Sequence, residues 1–233
     1  MALRIGFDMD GVLADFSTAF RDVEHRLFGP SSSLRVEAPE VEAQMEEEAG
    51  KPERSEQTPK EIRRRRAAVW RAIHQTTDFW MTLKPHEPEA VRRIHELMLR
   101  YGWEVFFITQ RPTTAGQTVQ RQTQHWLRDQ GFDLPSVLVI SGSRGAAAGA
   151  LRLNYHVDDS QQNCLDVAAD SGARPILIVA DHDPITEASA RRLQIAVVRS
   201  LSEALDTLER TATGVNSEPT HVLSRLTKLV GWD

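Results

Sequence analysis

Four carboxylates in two short strings are the residues of this chain best suited to chemistry. Asp8 and Asp10 stand two apart in Asp8-Met9-Asp10-Gly11-Val12, directly after the apolar run Leu3-Arg4-Ile5-Gly6-Phe7. Asp158 and Asp159 close the run Leu153-Asn154-Tyr155-His156-Val157 in the same manner. Crowded carboxylates repel each other and resist ionising unless they share a cation. Oxygen donors of this kind favour a hard divalent ion, Mg²⁺ foremost. Asp8, Asp10, Asp158 and Asp159 are therefore the candidate metal ligands. Gly11 lets the chain leave its strand tightly and brings backbone close to a ligand. Taken alone, the first string reads equally well as a solvated acidic turn.

Two further apolar runs end in groups suited to an anion. Trp103 to Ile108 leads into Thr109-Gln110-Arg111-Pro112, and Ser136 to Ile140 leads into Ser141-Gly142-Ser143-Arg144-Gly145. Four strand ends thus gather carboxylates, hydroxyls, glycines and arginines, while the strand starts carry no comparable cluster. Ligands in open α/β sheets sit at the carboxyl ends of strands. The asymmetry is that of a phosphate-plus-metal site at one edge of a parallel sheet, and it outweighs the reading of ordinary polar loops.

The elements that must position these residues alternate strand and helix, the pattern of an α/β fold with a doubly wound, Rossmann-like parallel sheet. Val91, Ile94, Leu97, Met98 and Tyr101 lie at helical spacing between Pro88 and Gly102. A second helix is expected from about Thr114 to Gln130, burying Val119, Trp126 and Leu127 and closed by Gly131. A helix through Cys164 and Val167 leads to the strand Pro175 to Val179, and Asp183-Pro184 starts the next helix. Ser200 and Glu203 predict a capping box for a helix carrying Leu201, Leu205 and Leu208. Residues 211–233 are expected to form a loop and a short terminal helix around Val222 to Leu229.

From Phe16 to about Trp80 there is no credible strand, and the interval is too long for an ordinary βα connection. It reads as a small helical insertion with Val69, Trp70 and Ile73 as its apolar face. The expected division is a core of residues 1–16 and 81–210, an insertion of 17–80, and the terminal segment. Residues 29–57, which include Glu46-Glu47-Glu48, are expected to be partly disordered. The run Arg63-Arg64-Arg65-Arg66 is a solvated helix face in preference to a substrate clamp or a nucleic-acid patch.

The net charge of -5 gives no electrostatic reason to expect a nucleic acid polymer as partner. Cys164 is the single cysteine, so a reducing compartment is the default. No run of apolar residues is long enough to span a membrane, and the first strand begins too early for a cleavable signal. A cytoplasmic protein with no membrane partner is expected; the oligomeric state is left open, a homodimer included.

Taken together, the opening string, the strand-ending Thr109, the basic residue after the fourth-strand turn and the later acidic pair resemble the haloacid dehalogenase superfamily of phosphohydrolases. Asp8-Met9-Asp10-Gly11-Val12-Leu13-Ala14-Asp15-Phe16 is similar to the opening of its 5'(3')-deoxyribonucleotidase branch, as is Phe79-Trp80-Met81-Thr82-Leu83-Lys84-Pro85 followed by a helix. The likeness spans residues 1 to about 180, excluding much of 30–75.

The resemblance implies that the insertion is a cap over the active site and that Asp8 is a nucleophile forming an aspartyl-phosphate, with Mg²⁺ as cofactor. Asp10 would protonate the leaving oxygen, later activate water, and lend its backbone carbonyl to the metal. Asp159 would be a direct ligand, with Asp158 acting directly or through water. Thr109 would hold a phosphoryl oxygen, helped by N–H groups around Met9 and Gln110. Arg111 would reach the phosphate or the rest of the substrate, unless it forms a surface salt bridge. Arg144 stands where the family has a lysine; it keeps the charge but changes its shape. Phe16 would lie under a nucleobase, unless it pairs with Phe20 in the apolar stripe of the first helix. The branch's cap aromatics have no counterpart between residues 31 and 68, which leaves Trp70 and His74 as candidate contacts.

The expected function is an Mg²⁺-dependent phosphatase acting on a small phosphorylated substrate, a nucleoside monophosphate first. A sugar phosphate or another small phosphoester is the second reading. A phosphate- or nucleotide-binding regulatory protein without turnover, motivated by Arg144, is the third.

Overall fold

The structure, a computed structural model, describes residues 2–30, 34 and 58–214. The expectations for Glu46 to Glu48, for nearly all of the stretch 29–57 expected to be partly disordered (residues 29, 30 and 34 excepted), and for the terminal helix around Val222 lie outside the described residues.

Six strands form one parallel sheet: β1 (Arg4–Asp8), β2 (Glu104–Thr109), β3 (Ser136–Val139), β4 (Tyr155–Asp158), β5 (Arg174–Ile178) and β6 (Ala196–Val198). Their order is β3-β2-β1-β4-β5-β6. The sheet is therefore wound outward in both directions from β1, and the order reverses between β1 and β4. Crevices for ligands open at such a reversal. β6 escaped the sequence reading, although Ile195-Ala196-Val197-Val198 is a short apolar run between polar residues.

The strands bury both faces, as parallel strands must. Ile5, Phe7, Val105, Phe107, Ile176 and Ile178 point into the larger core, while their neighbours Ile108 and Leu177 enter smaller clusters. This is the alternation of successive side chains along a strand. On the first face lie α3 (Ala90–Tyr101), α4 (Val119–Asp129) and α8 (Leu201–Ala212). On the second lie α5 (Arg144–Ala150), α6 (Gln161–Asp170) and α7 (Pro184–Arg192).

Helix starts follow local chemistry. Asp183 accepts from the Ile185 and Thr186 N–H groups, with Pro184 in the first turn of α7. Three details depart from expectation. α4 begins at Val119, not Thr114, because Thr118 is its cap and Gly116 before it has φ +96. The Glu203 carboxylate takes the Arg199 N–H at 2.7 Å, so the box at Ser200 is only half formed. α8 continues to Ala212, into residues expected to be loop.

Among the described residues, α1 (Phe16–Phe28), α2 (Pro59–Gln75) and a 3-10 turn (Phe79–Met81) lie between β1 and α3. Thr58 and Glu61 form a complete capping box at the start of α2. α1 and α2 pack through Phe16, Phe20 and Trp70, which belong to the same core cluster as Phe7 and Phe107. In the arginine run, Arg63 and Arg64 are exposed, and Arg65 covers the Phe28 ring at 5.2 Å. No helix among the described residues is long and apolar enough to cross a membrane.

Candidate active site

The register of the sheet brings the two acidic strings together. Phe7 pairs with Val157, so the next residues, Asp8 and Asp158, end adjacent strands at the reversal of strand order. Asp8, Asp158 and Asp159 each offer an oxygen within 4.8 Å of the others. Asp8 and Asp158 are buried, and Asp159 is exposed. Gly11 has φ +92, and its Cα lies against the Asp159 carboxylate where a Cβ would overlap it. The donor set is oxygen-only and anionic, with one ligand open to solvent, which fits a hard divalent cation such as Mg²⁺.

Arg144 enters from the first residue of α5. Ser143 caps that helix by accepting from the Gly145 and Ala146 N–H groups. The buried Arg144 guanidinium donates from Nη2 to Asp8 Oδ1, and its Nε lies 3.5 Å from Asp158 Oδ2. One cation thus bridges two of the three carboxylates.

Asp158 is fully enclosed. It accepts from Ser160 N–H at 2.8 Å and from Asn163 Nδ2, and it meets His156 Nε2 at 2.9 Å. Burial pushes its carboxyl up. The His156 hydrogen bond, the charges of His156 and Arg144 and the Ser160 N–H outweigh burial and leave it below the ordinary carboxylate value. His156 went unmentioned as a site residue in the sequence reading. The signal was present, since residues two apart on a strand share a face. Its ring lies over Gly6 of β1, whose missing side chain makes room for it.

Asp10 stands apart from the carboxylate cluster. Its oxygens accept from Arg111 Nε and Nη2, both at 2.7 Å, and Arg111 is 3% exposed. The sequence surrounds Asp10 with acids, but the charge that meets it is this cation. Arg111 is accordingly a buried ion-pair partner of Asp10 and not a surface salt bridge. Thr109 is buried at the end of β2, and its hydroxyl accepts from Arg111 N–H at 3.4 Å. Gln110 donates from Nε2 to Gly142 O at 2.7 Å and so ties the loops after β2 and β3.

Phe16 is 2% exposed and sealed into an aromatic cluster. Its ring centroid is 5.5 Å from Trp70 in a stacked arrangement, 5.8 Å from Phe20 and 5.7 Å from Trp80. The packing alternative describes it, and no ring face is left for a base. Trp70 is buried in the same cluster, with His74 at its edge.

No protein-family model matches the sequence, and comparison with curated proteins finds no match. Solved structures do match. A HAD family hydrolase from Deinococcus radiodurans R1, with bound phosphate and sodium, superposes with a TM-score of 0.54 at 16% identity, over 91% of this chain and 96% of that one. A haloacid dehalogenase-like family hydrolase from Streptococcus pneumoniae gives a TM-score of 0.50 at 14% identity, over 89% and 98%. At these identities the likeness is one of fold, and the fold is that of the haloacid dehalogenase-like hydrolases.

Proposed function

We propose that this protein is a phosphohydrolase that cleaves small phosphate monoesters through an aspartyl-phosphate on Asp8. The observation that carries the reading is the meeting of Asp8, Asp158 and Asp159 within 4.8 Å at the switch point of the sheet, with Arg144 bonded to Asp8. The structural neighbour from Deinococcus radiodurans holds phosphate and sodium, which supports an anion-plus-cation site in this fold.

A phosphate monoester resists attack because its oxygens are negative. Arg144 offsets that charge and keeps Asp8 aimed at the incoming phosphorus. An Asp8 oxygen bonds to phosphorus as the bond to the leaving oxygen breaks. The electron pair goes to that oxygen, which takes a proton from Asp10. Water then attacks phosphorus and gives its proton to Asp10, and the Asp8 carboxylate is released. Thr109 and the N–H groups around Met9 and Gln110 hold the phosphoryl oxygens. Asp8, Asp158, Asp159 and the backbone carbonyl of Asp10 would hold Mg²⁺, which supplies further neutralisation of the phosphoryl group.

Residues 17–80 act as the cap in this reading, with α1 and α2 as its described helices. The nucleoside monophosphate reading rests on the strings Asp8 to Phe16 and Phe79 to Pro85, and the base-stacking role it gives Phe16 loses support because that ring is buried. A sugar phosphate or other small phosphoester fits the site equally well. A reducing, cytoplasmic setting belongs to the same reading, on the strength of the single, buried Cys164.

The test is release of inorganic phosphate from a panel of sugar phosphates and nucleoside monophosphates with Mg²⁺ present. Turnover by the wild type and its loss in Asp8→Asn are expected. No release from any ester, or an undiminished rate in Asp8→Asn, overturns the reading. Activity that arises only in Arg144→Lys identifies a binding protein instead.

A further inference from the structure

Arg111 and Asp10 form an enclosed two-point ion pair beside the carboxylate cluster, and the mechanism above gives Arg111 nothing to do. The Arg111 side chain is 0% exposed and that of Asp10 is 6% exposed. Two parallel bonds of 2.7 Å join them, and the third arm of the guanidinium, Nη1, donates to Thr123 Oγ1 at 3.1 Å. The Trp80 ring lies 4.8 Å from the guanidinium carbon. Trp80 is itself held, donating from Nε1 to Pro112 O at 3.0 Å and from its N–H to Gln122 Oε1 at 3.1 Å. The edges of the guanidinium and one of its faces are thus held.

Stability alone is a poor reason for such a pair, because a buried ion pair is often no better than apolar side chains of similar volume. Orientation is a better one. A carboxylate offers about four lone-pair positions, and the fork of an arginine takes one on each oxygen. The remaining positions stay available for a proton, while the plane of the carboxylate is locked.

We propose that Arg111 is a positioning residue: it fixes the Asp10 carboxylate in the orientation from which protons are exchanged with the leaving oxygen and with the hydrolytic water. The inference rests on the phosphohydrolase reading. Thr123 and Trp80 extend the same hold, so α4 and the turn before α3 help to aim the acid–base group. A displacement of about 1 Å at a reacting group costs on the order of 100-fold in rate.

The experiment separates the two chemical steps with 4-nitrophenyl phosphate, whose phenolate leaves without a proton. Rapid mixing of Arg111→Lys, Arg111→Gln and Thr123→Val with this ester and Mg²⁺ reads phosphorylation as the burst and hydrolysis of the intermediate as the steady state. For Arg111→Gln the steady state is expected to fall about 100-fold, while the burst rate stays within about tenfold of wild type. Arg111→Lys is expected to recover part of the loss. Thr123→Val, which leaves the ion pair itself in place, is expected to show the same pattern with a fall of about fivefold.

Burst and steady state falling together, or a steady state unchanged in the folded variants, overturns the inference. Should both Arg111 variants fail to fold by circular dichroism, Thr123→Val decides alone by the same criteria. Wild-type protein without turnover overturns the phosphohydrolase reading and this inference with it; wild-type turnover lost in Asp8→Asn keeps that reading whatever the Arg111 variants do.

Discussion

Gly11 and Asp159 touch so closely that a side chain at position 11 would displace the Asp159 carboxylate. Gly11 holds φ +92, and an added Cβ would overlap the Asp159 carboxylate. Gly11→Ala therefore meets two penalties, a backbone conformation alien to alanine and a displaced acid. A loss of about 1–3 kcal/mol is expected in urea unfolding. Calorimetric titration with Mg²⁺ is expected to show affinity lowered about tenfold or more, because Asp159 can no longer stand where Asp8 and Asp158 meet it.

Asp158 makes stability fall in acid. Its folded pKa lies below the unfolded value of 3.8. Below about pH 4 the unfolded chain therefore binds the proton more readily, and stability rises with pH through that window. The contribution is complete above the unfolded value and is lost as pH drops through the folded one. Asp158→Asn, with chelator present, is expected to flatten the dependence of the unfolding midpoint between pH 2 and 4. An acid limb as steep as that of wild type would contradict this.

Phe16 supports structure, and its replacements should behave accordingly. Phe16→Ala removes a buried ring packed on Trp70 and Trp80 and is expected to cost about 3–5 kcal/mol. Phe16→Leu keeps most of the volume and is expected to cost less than about 1.5 kcal/mol. The ratio of kcat/KM for nucleoside monophosphates to that for sugar phosphates should stay the same in Phe16→Leu. A selective loss on nucleotides would show that the ring meets a base.

Cys164 offers a direct report of unfolding. It is 0% exposed, and burial pushes its thiol up, with the charges of Asp158, Asp159 and Asp8 adding to the effect. A thiol reagent such as dithionitrobenzoate should react only at the rate at which the protein opens. Rapid labelling under native conditions would mean that α6 leaves the sheet easily.

Much of this was legible in the order of residues. Short apolar runs ending in Asp8, Thr109 and Asp158 place strands and their carboxyl ends, because burial on both faces demands continuous apolar character and a site needs polar termini. Asp183-Pro184 and Ser200 mark helix starts because capping is chemistry between near neighbours. β6 was missed because three residues, Ala196 to Val198, give too short a signal for periodicity. The start of α4 was misjudged because Gly116 and Thr118 act through backbone conformation, which composition does not display.

Sequence by itself placed Asp8, Thr109, Asp158 and Arg144 at or just beyond the carboxyl ends of strands, since strand direction and polarity are local properties. Only the tertiary structure decided which groups meet. Arg111 finds Asp10 across 101 positions of chain, and Phe16 is closed over by Trp70 and Trp80. Whether an arginine faces substrate or an acid, and whether a ring is a platform or a core residue, depends on the strand order and on which helices cover it. Those are set by packing of the whole chain, and no short stretch of sequence carries them.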